Sequence, residues 1–299
     1  MKTLTPSTGQ EKKYRRLVED SVKHATDLAL GKTEAEQDGW QRVLEHGDEL
    51  RDAIAEVVVA KTKELSISNQ FADEEAESNL GYLSGYKPKS IAEQLIVLRQ
   101  LFPDISSVGE KLTGQSLPSN AEGYFVIPRR EKIASTYGEA VQKVLDIIKQ
   151  TRSGKFYNYR ENCLGPQYLH QSAKTAKALQ TLGDQQKDYD ILVVPAQFGL
   201  RHRGRSVRRA REVMSVSEFG LNAFSIGIIL LTHPERLQHY DDLWIDCAGD
   251  EYSDDGGGRF EGAPYFGFSD GGVKFGACSV GDADGLCGSA SAFLPQSEF

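Results

Sequence analysis

Long apolar runs are missing from this chain. The longest, Phe224 to Leu231, is far short of the roughly 20 residues that span a bilayer, so no membrane partner is expected. The opening MKTLTPSTGQEKKYRR has no apolar core of the signal-peptide kind. Cysteine is scarce, and Cys163, Cys247, Cys278 and Cys287 show no CxxC spacing, which argues against a zinc knuckle and a tight redox pair. Free thiols, packed as small apolar residues in a reducing cytoplasmic compartment, are the expectation. A GxSxG elbow, an HExxH helix, an EF-hand spacing and a guanine-reading NKxD are all lacking, so the familiar serine-hydrolase, zinc-protease and calcium-sensor patterns do not apply. No internal repeat or low-complexity tract interrupts the chain.

What is there is the composition of a folded soluble protein, 39% hydrophobic and 26% charged, which excludes wholesale disorder. The patterning predicts an α+β or α/β fold. A mainly helical region covers 1–115. A mixed-sheet region with flanking helices and a C-terminal β-hairpin covers 116–299, the two being compatible with one continuous globular unit. Residues 11–30 place Tyr14, Leu17, Val18, Val22 and Leu28 at helical spacing, with Gly31 as C-cap. Residues 34–64 give one or two more helices with Trp40, Val43, Leu44, Ile54 and Val57 on the apolar face. Segment 66–89 reads as an ordered loop with an acidic patch at Asp73, Glu74, Glu75 and Glu77. Ser90 to Glu93 is a capping box that opens a short helix, stopped by Pro103.

In the second half, EGYFVIP (122–128), DILVVP (190–195) and LWIDC (243–247) read as strands. Residues 138–152 and 166–182 read as helices, the latter with Pro166 in its first turn. SIGIILLT (225–232) reads as a buried strand, with a buried helix as the alternative. Ala263–Phe268 and Val273–Ala277 flank Ser-Asp-Gly-Gly, a hairpin signal.

The stretches PAQFGLRHRGRSVRRAREV, LLTHPERL, IDCAGDEY and GSASAFLPQ resemble a group of uncharacterised bacterial proteins to which no function is assigned. The resemblance runs over most of the chain. It implies a bacterial, cytosolic origin and carries no activity with it.

Charge supplies the main functional lead. Residues 201–211 hold six arginines and no acid but belong to a chain of net charge −8, so something must neutralise them. A strand ending near Pro195 leads through Gly199 to a helix expected from about Arg205, with Val207, Ala210 and Val213 inward and Arg205, Arg208, Arg209 and Glu212 outward. A strand, a glycine loop and a helix N-terminus together favour anions, and the planar guanidinium suits phosphate. The first reading is therefore a phosphate-bearing ligand, nucleotide or nucleic acid, held by Gly199, Arg201, His202, Arg203, Gly204, Arg205, Ser206, Arg208 and Arg209. GLRHRGRS comes within one residue of the phosphate loop GxxxxGK[ST], but Arg205 stands at the lysine position and the loop interior is bulky.

The second reading is a metal-assisted phosphoester or nucleotide hydrolase. In it Asp246, Asp250 and Glu251 hold Mg²⁺, and His233 or Asp246 serves catalysis. The third is a non-catalytic interaction protein, whose basic block pairs with the seven acids of 241–255 or with an acidic protein partner. Beside these, Arg160 near Cys163 suits an activated thiol or plain packing. Phe156, Tyr157, Tyr159 and Tyr168 suit base stacking or core packing. The sequence leaves oligomeric state open.

Overall fold

Ser7 accepts from the Gln10 amide while the Ser7 amide donates to the Gln10 side chain, a capping box that starts helix α1 (Thr8–Lys32). The computed structural model describes residues 6–66, 69–105 and 117–294. The chain divides into two units, 1–67 and 68–299. The first unit holds α1, α2 (Gln37–Glu45) and α3 (Gly47–Leu65). Tyr14 on α1 shares a hydrogen bond of 2.6 Å with Thr62 on α3. The helical spacing produces the expected helices, but it does not bury their apolar faces. No residue of α1 or α2 is buried, and Leu17, Leu44 and Val57 are all exposed.

The second unit is α+β. Ser90 and Glu93 form the expected capping box of α4 (Ile91–Leu101), which packs on β1 (Gly123–Pro128) and α8 (Ala223–Thr232). One antiparallel sheet has the order β1-β4-β11-β5, with β4 at Ile191–Gln197, β5 at Glu218–Gly220 and β11 at Ser291–Phe293. All seven residues of β4 are buried, which is why its sequence shows an unbroken apolar run without alternation.

The second sheet is mixed and has seven strands: β2 (Phe156–Asn158), β3 (Leu169–Gln171), β6 (Trp244–Asp246), β7 (Asp250–Tyr252), β8 (Gly262–Ser269), β9 (Gly272–Ser279) and β10 (Cys287–Ser289). The β2–β9 and β6–β10 pairs are parallel and the others antiparallel. Asp270 and Gly271, at φ 48° and 71°, turn β8 into β9. Two positive φ values in a two-residue loop match the twist of the flanking strands, so the predicted hairpin forms where its turn residues stand.

Three element boundaries differ from the sequence reading. Residues 223–232 are helix α8, not a strand. Every residue of α8 is buried, and a helix buried all round has no amphipathic period to separate it from a buried strand. It packs on α5 (Tyr137–Thr151), where a Cβ on Gly227 would lie 2.5 Å from Val144 Cγ1. The helix expected from Pro166 begins after Ser172, which caps α6 (Ala173–Gln185), because 169–171 pair as β3. Helix α7 (Val207–Val213) starts after Ser206. Val207, Ala210 and Val213 face inward as expected, but Arg209, expected outward, is 9% exposed. Among the described residues no helix is long and apolar enough to cross a membrane.

Candidate functional site

Four of the six arginines, Arg201, Arg205, Arg208 and Arg209, meet glutamates, and these are not the acids of 241–255. Residues 69–80 lie along α7 and the turn before it. Arg208 forks onto Glu74, with Nε at 2.8 Å, and its guanidinium stacks 4.5 Å above the Phe71 ring. Arg209 donates to Glu75 at 2.7 Å and to Glu212 at 2.9 Å, and Arg205 lies 3.3 Å from Glu75. Glu212 also accepts the Gln70 and Phe71 amides. Arg203 donates to the Leu80 carbonyl. The Arg208 bond pulls the Glu74 carboxyl below its usual range, and the Arg209 bond does the same to Glu75. Only Arg211 reaches the 241–255 stretch, and it does so through the carbonyls of Ala248 and Asp250.

Arg201 and His202 converge on Glu218, which is fully buried on β5. Its carboxylate accepts from Arg201 Nε at 3.1 Å, from Ser291 Oγ at 2.6 Å and from the Ser215 amide at 3.3 Å, and it lies 2.8 Å from His202 Nε2. Burial works against a charge here, but these donors outweigh it and hold the Glu218 carboxyl low. Burial also lowers the His202 pKa. A neutral imidazole that donates from Nε2 to Glu218 leaves Nδ1 to accept from Arg205 Nη1 at 3.3 Å. Ser206 Oγ, another residue of the expected phosphate site, donates to Glu74 and caps α7.

The two glycines of the loop serve backbone contacts with the protein itself. Gly199 has φ +115°, and a Cβ there would sit 2.8 Å from the Gly288 carbonyl oxygen. Gly204 has φ +75°, and a Cβ there would sit 2.1 Å from the Ala76 carbonyl oxygen. A phosphate bound at 199–209 would compete with Glu74, Glu75, Glu212 and Glu218 for the same N–H groups.

The proposed metal and catalytic residues are dispersed. Asp246 and Asp250 are buried. Burial, with the Asp284 charge adding to it, pushes the Asp246 carboxyl up to about 7. Burial also lifts Asp250 to about 7, against the pull of the Tyr137 hydroxyl and the Ala223 amide, each at 2.6 Å. Glu251 follows Asp250 on β7 and so points to the opposite face, where it meets His170 at 3.4 Å. Among the described residues, no three His, Cys, Asp or Glu side chains gather as a metal site. His233 is fully buried. Burial, then the Lys89 charge, lowers it to about 4, and its Nε2 accepts the Lys89 amide.

Asp246 gives a pH prediction with a definite sign. A carboxyl raised from its ordinary value of 3.8 to about 7 on folding opposes folding wherever it is ionised. The cost is absent below about pH 4, grows between 4 and 7, and is full above that. Asp246→Asn is therefore expected to raise stability at pH 8 by roughly 2–4 kcal/mol, at about 1.36 kcal/mol per pKa unit, and to change it little near pH 4. Denaturant melts of both proteins across this range check it, and a pH-independent difference would contradict it.

A cavity of about 360 Å³ opens between the end of β1, the start of β4, α6 and the N-terminus of α8. Ile127, Leu179, Leu192 and Phe224 give it apolar walls, and Arg130, Glu131 and Asp184 stand on its lining with their charges. Its most buried polar residues are Asn222 and Ser225, each 1% exposed. Asn222 is the N-cap of α8, and its Oδ1 accepts the Ser225 amide at 2.8 Å. Asp250 takes the Ala223 amide. Among the described residues, Asn222 Nδ2 and Ser225 Oγ then have no hydrogen-bond partner. Arg129 flanks the same cavity and fixes its α6 wall by donating to the Tyr189, Gly183 and Gln186 carbonyls. A Cβ on Gly183 would sit 2.9 Å from Arg129 Nη1.

Sequence reasoning did not find this site. Its one local signal was Asn222 ahead of an apolar run, the signature of an N-cap. Comparison of the chain with known protein families, with curated proteins and with solved structures finds no match.

Proposed function

We propose that this protein binds a small molecule carrying a carbonyl or carboxylate oxygen on an apolar body, seated in the cavity at the N-terminus of α8. The observation that carries this is the pair of buried polar atoms with no hydrogen-bond partner among the described residues, Asn222 Nδ2 and Ser225 Oγ, on two residues that line the cleft. A buried donor left unmade costs about 1–3 kcal/mol, and two of them weaken the fold unless something binds them. A ligand oxygen recovers that cost, and the dipole of α8 favours negative charge at the same end. The cavity volume lies at the small end of the ordinary range for ligand pockets.

The test is a thermal-shift titration of the whole chain with benzoate, benzamide and benzylamine, which share one apolar body and differ in the acceptor oxygen. Benzoate or benzamide is expected to raise the melting temperature, as any ligand of the native state does, and benzylamine is not. Ser225→Ala is expected to raise ligand-free stability by about 1 kcal/mol, because it removes an unsatisfied hydroxyl and introduces the best helix former. The same variant is expected to weaken the ligand response. Asn222→Ser keeps a competent cap and should lose the response as well. No shift with either oxygen-bearing probe, or an unaltered response in both variants, would overturn the reading.

A further inference from the structure

The pleat of the second sheet sorts its side chains into two faces. Ile245, Phe266, Phe275 and Val273 point into the core. Trp244, Tyr265, Lys274 and Tyr157 take the opposite face, and so do Gly267 and Gly276, which lie across from them. These two glycines let aromatic rings lie flat on bare backbone. A Cβ on Gly267 would be 2.5 Å from the Trp244 ring, and one on Gly276 would be 2.6 Å from the Tyr265 ring. The two rings are nearly coplanar in tilt, at 20°, with centroids 5.5 Å apart. Tyr157 and Tyr159, each more than half exposed, stand beside these rings and meet each other edge to face at 64° with centroids 4.7 Å apart, and Lys274 Nζ lies 5.7 Å from the Tyr157 centroid. Trp244, Tyr265, Tyr159 and Lys274, together with Arg160 and Ser269, border a shallow cleft of about 410 Å³.

Glycine opposite an aromatic residue is a packing device in sheets, and it accounts for Trp244 and Tyr265 alone. It does not account for two further tyrosines held open to solvent beside a cation, and contiguous exposed aromatic surface of this kind marks recognition sites. Charge selects the occupant. Lys274 is matched by Asp270 at 3.4 Å and Arg160 by Asp254 at 3.0 Å, and the chain as a whole carries −8. A polyanion finds no surplus positive charge here. A neutral ring with an apolar C–H face and hydroxyl edges fits, since its face stacks on the aromatic rings and its hydroxyls meet Lys274, Arg160 and Ser269.

We infer that this face binds a neutral saccharide, a short chain of pyranose rings. The inference is independent of the α8 cavity. Trp40→Phe leaves Trp244 as the sole tryptophan, so its fluorescence reports this face directly. The full chain is titrated with maltotetraose, cellotetraose and chitotetraose, and with octathymidylate as the polyanionic alternative, at low and high salt. At least one tetrasaccharide is expected to change Trp244 emission with an affinity that salt does not alter. Tyr159→Ala should weaken it about tenfold, the loss expected for one stacked ring, while the benzoate response stays unchanged. Saturation transfer from the unsubstituted protein to the sugar protons gives the same readout without the Trp40 change. Failure of all three sugars in both measurements, or octathymidylate binding that falls as salt rises, would overturn it.

Discussion

Glu218→Gln is expected to cost roughly 3–5 kcal/mol of folding stability, the usual penalty for removing one partner of a buried charged group. Arg201 and His202 share Glu218, and Ser291 and the Ser215 amide donate to it as well. Glutamine keeps the shape but loses the charge and turns an N–H₂ toward groups that already donate. The chain must then leave Arg201 without its counter-charge beside a buried strand. The loss should appear as a lower urea midpoint with an unchanged slope. A cycle with Arg201→Met should show the two changes to be non-additive, as for residues of one network. A loss under about 1 kcal/mol would be that of a surface ion pair and would contradict the buried clasp.

Gly204→Ala is expected to cost roughly 3 kcal/mol or more, beyond what its backbone angle alone imposes. The left-handed conformation costs a residue with a Cβ about 1–2 kcal/mol. Here the new Cβ would also meet the Ala76 carbonyl, on the segment whose Ala76 amide donates to the Gly204 carbonyl at 2.6 Å. Segment 69–90 must move, and its Glu74 and Glu75 bonds to Arg208 and Arg209 move with it. Gly258→Ala is the control, because Gly258 has φ +84° and nothing within 4 Å of a Cβ, so only the angle counts there. Faster proteolysis within 69–90 in Gly204→Ala, and not in Gly258→Ala, is the expected signature of a segment opening locally. Matched stabilities for the two variants would contradict it.

The sequence made some elements legible through local chemistry and hid others for physical reasons. The β8–β9 hairpin was readable because Asp270 and Gly271 are the residues its turn requires. The capping box at Ser90 was readable for the same kind of reason. Helix α8 was ambiguous because full burial erases periodicity, although Asn222 marks its start. The acidic patch at Glu74 and Glu75 and the arginine run were both visible, but their pairing was not. Sequence proximity favoured the 241–255 acids, while more than a hundred residues separate Glu74 from Arg208. Gly199 and Gly204 looked like the glycines of an anion loop, because the demand for close backbone approach reads the same in sequence whether the neighbour is a phosphate or a carbonyl. The α8 cavity was least legible, since β1, β4, α6 and α8 each contribute to it from distant parts of the chain.

The most direct measurement is the nuclear magnetic resonance signal of the Asn222 carboxamide protons, identified by its disappearance in Asn222→Ser. Among the described residues Nδ2 has no acceptor, so a bound oxygen must change its environment. Titration with benzamide or benzoate is expected to move that pair of signals strongly and saturably, with a weaker movement in Ser225→Ala and none with benzylamine. Asn222 signals that stay fixed while every probe is raised to saturation of the solution would contradict the assignment of this cavity as the ligand site.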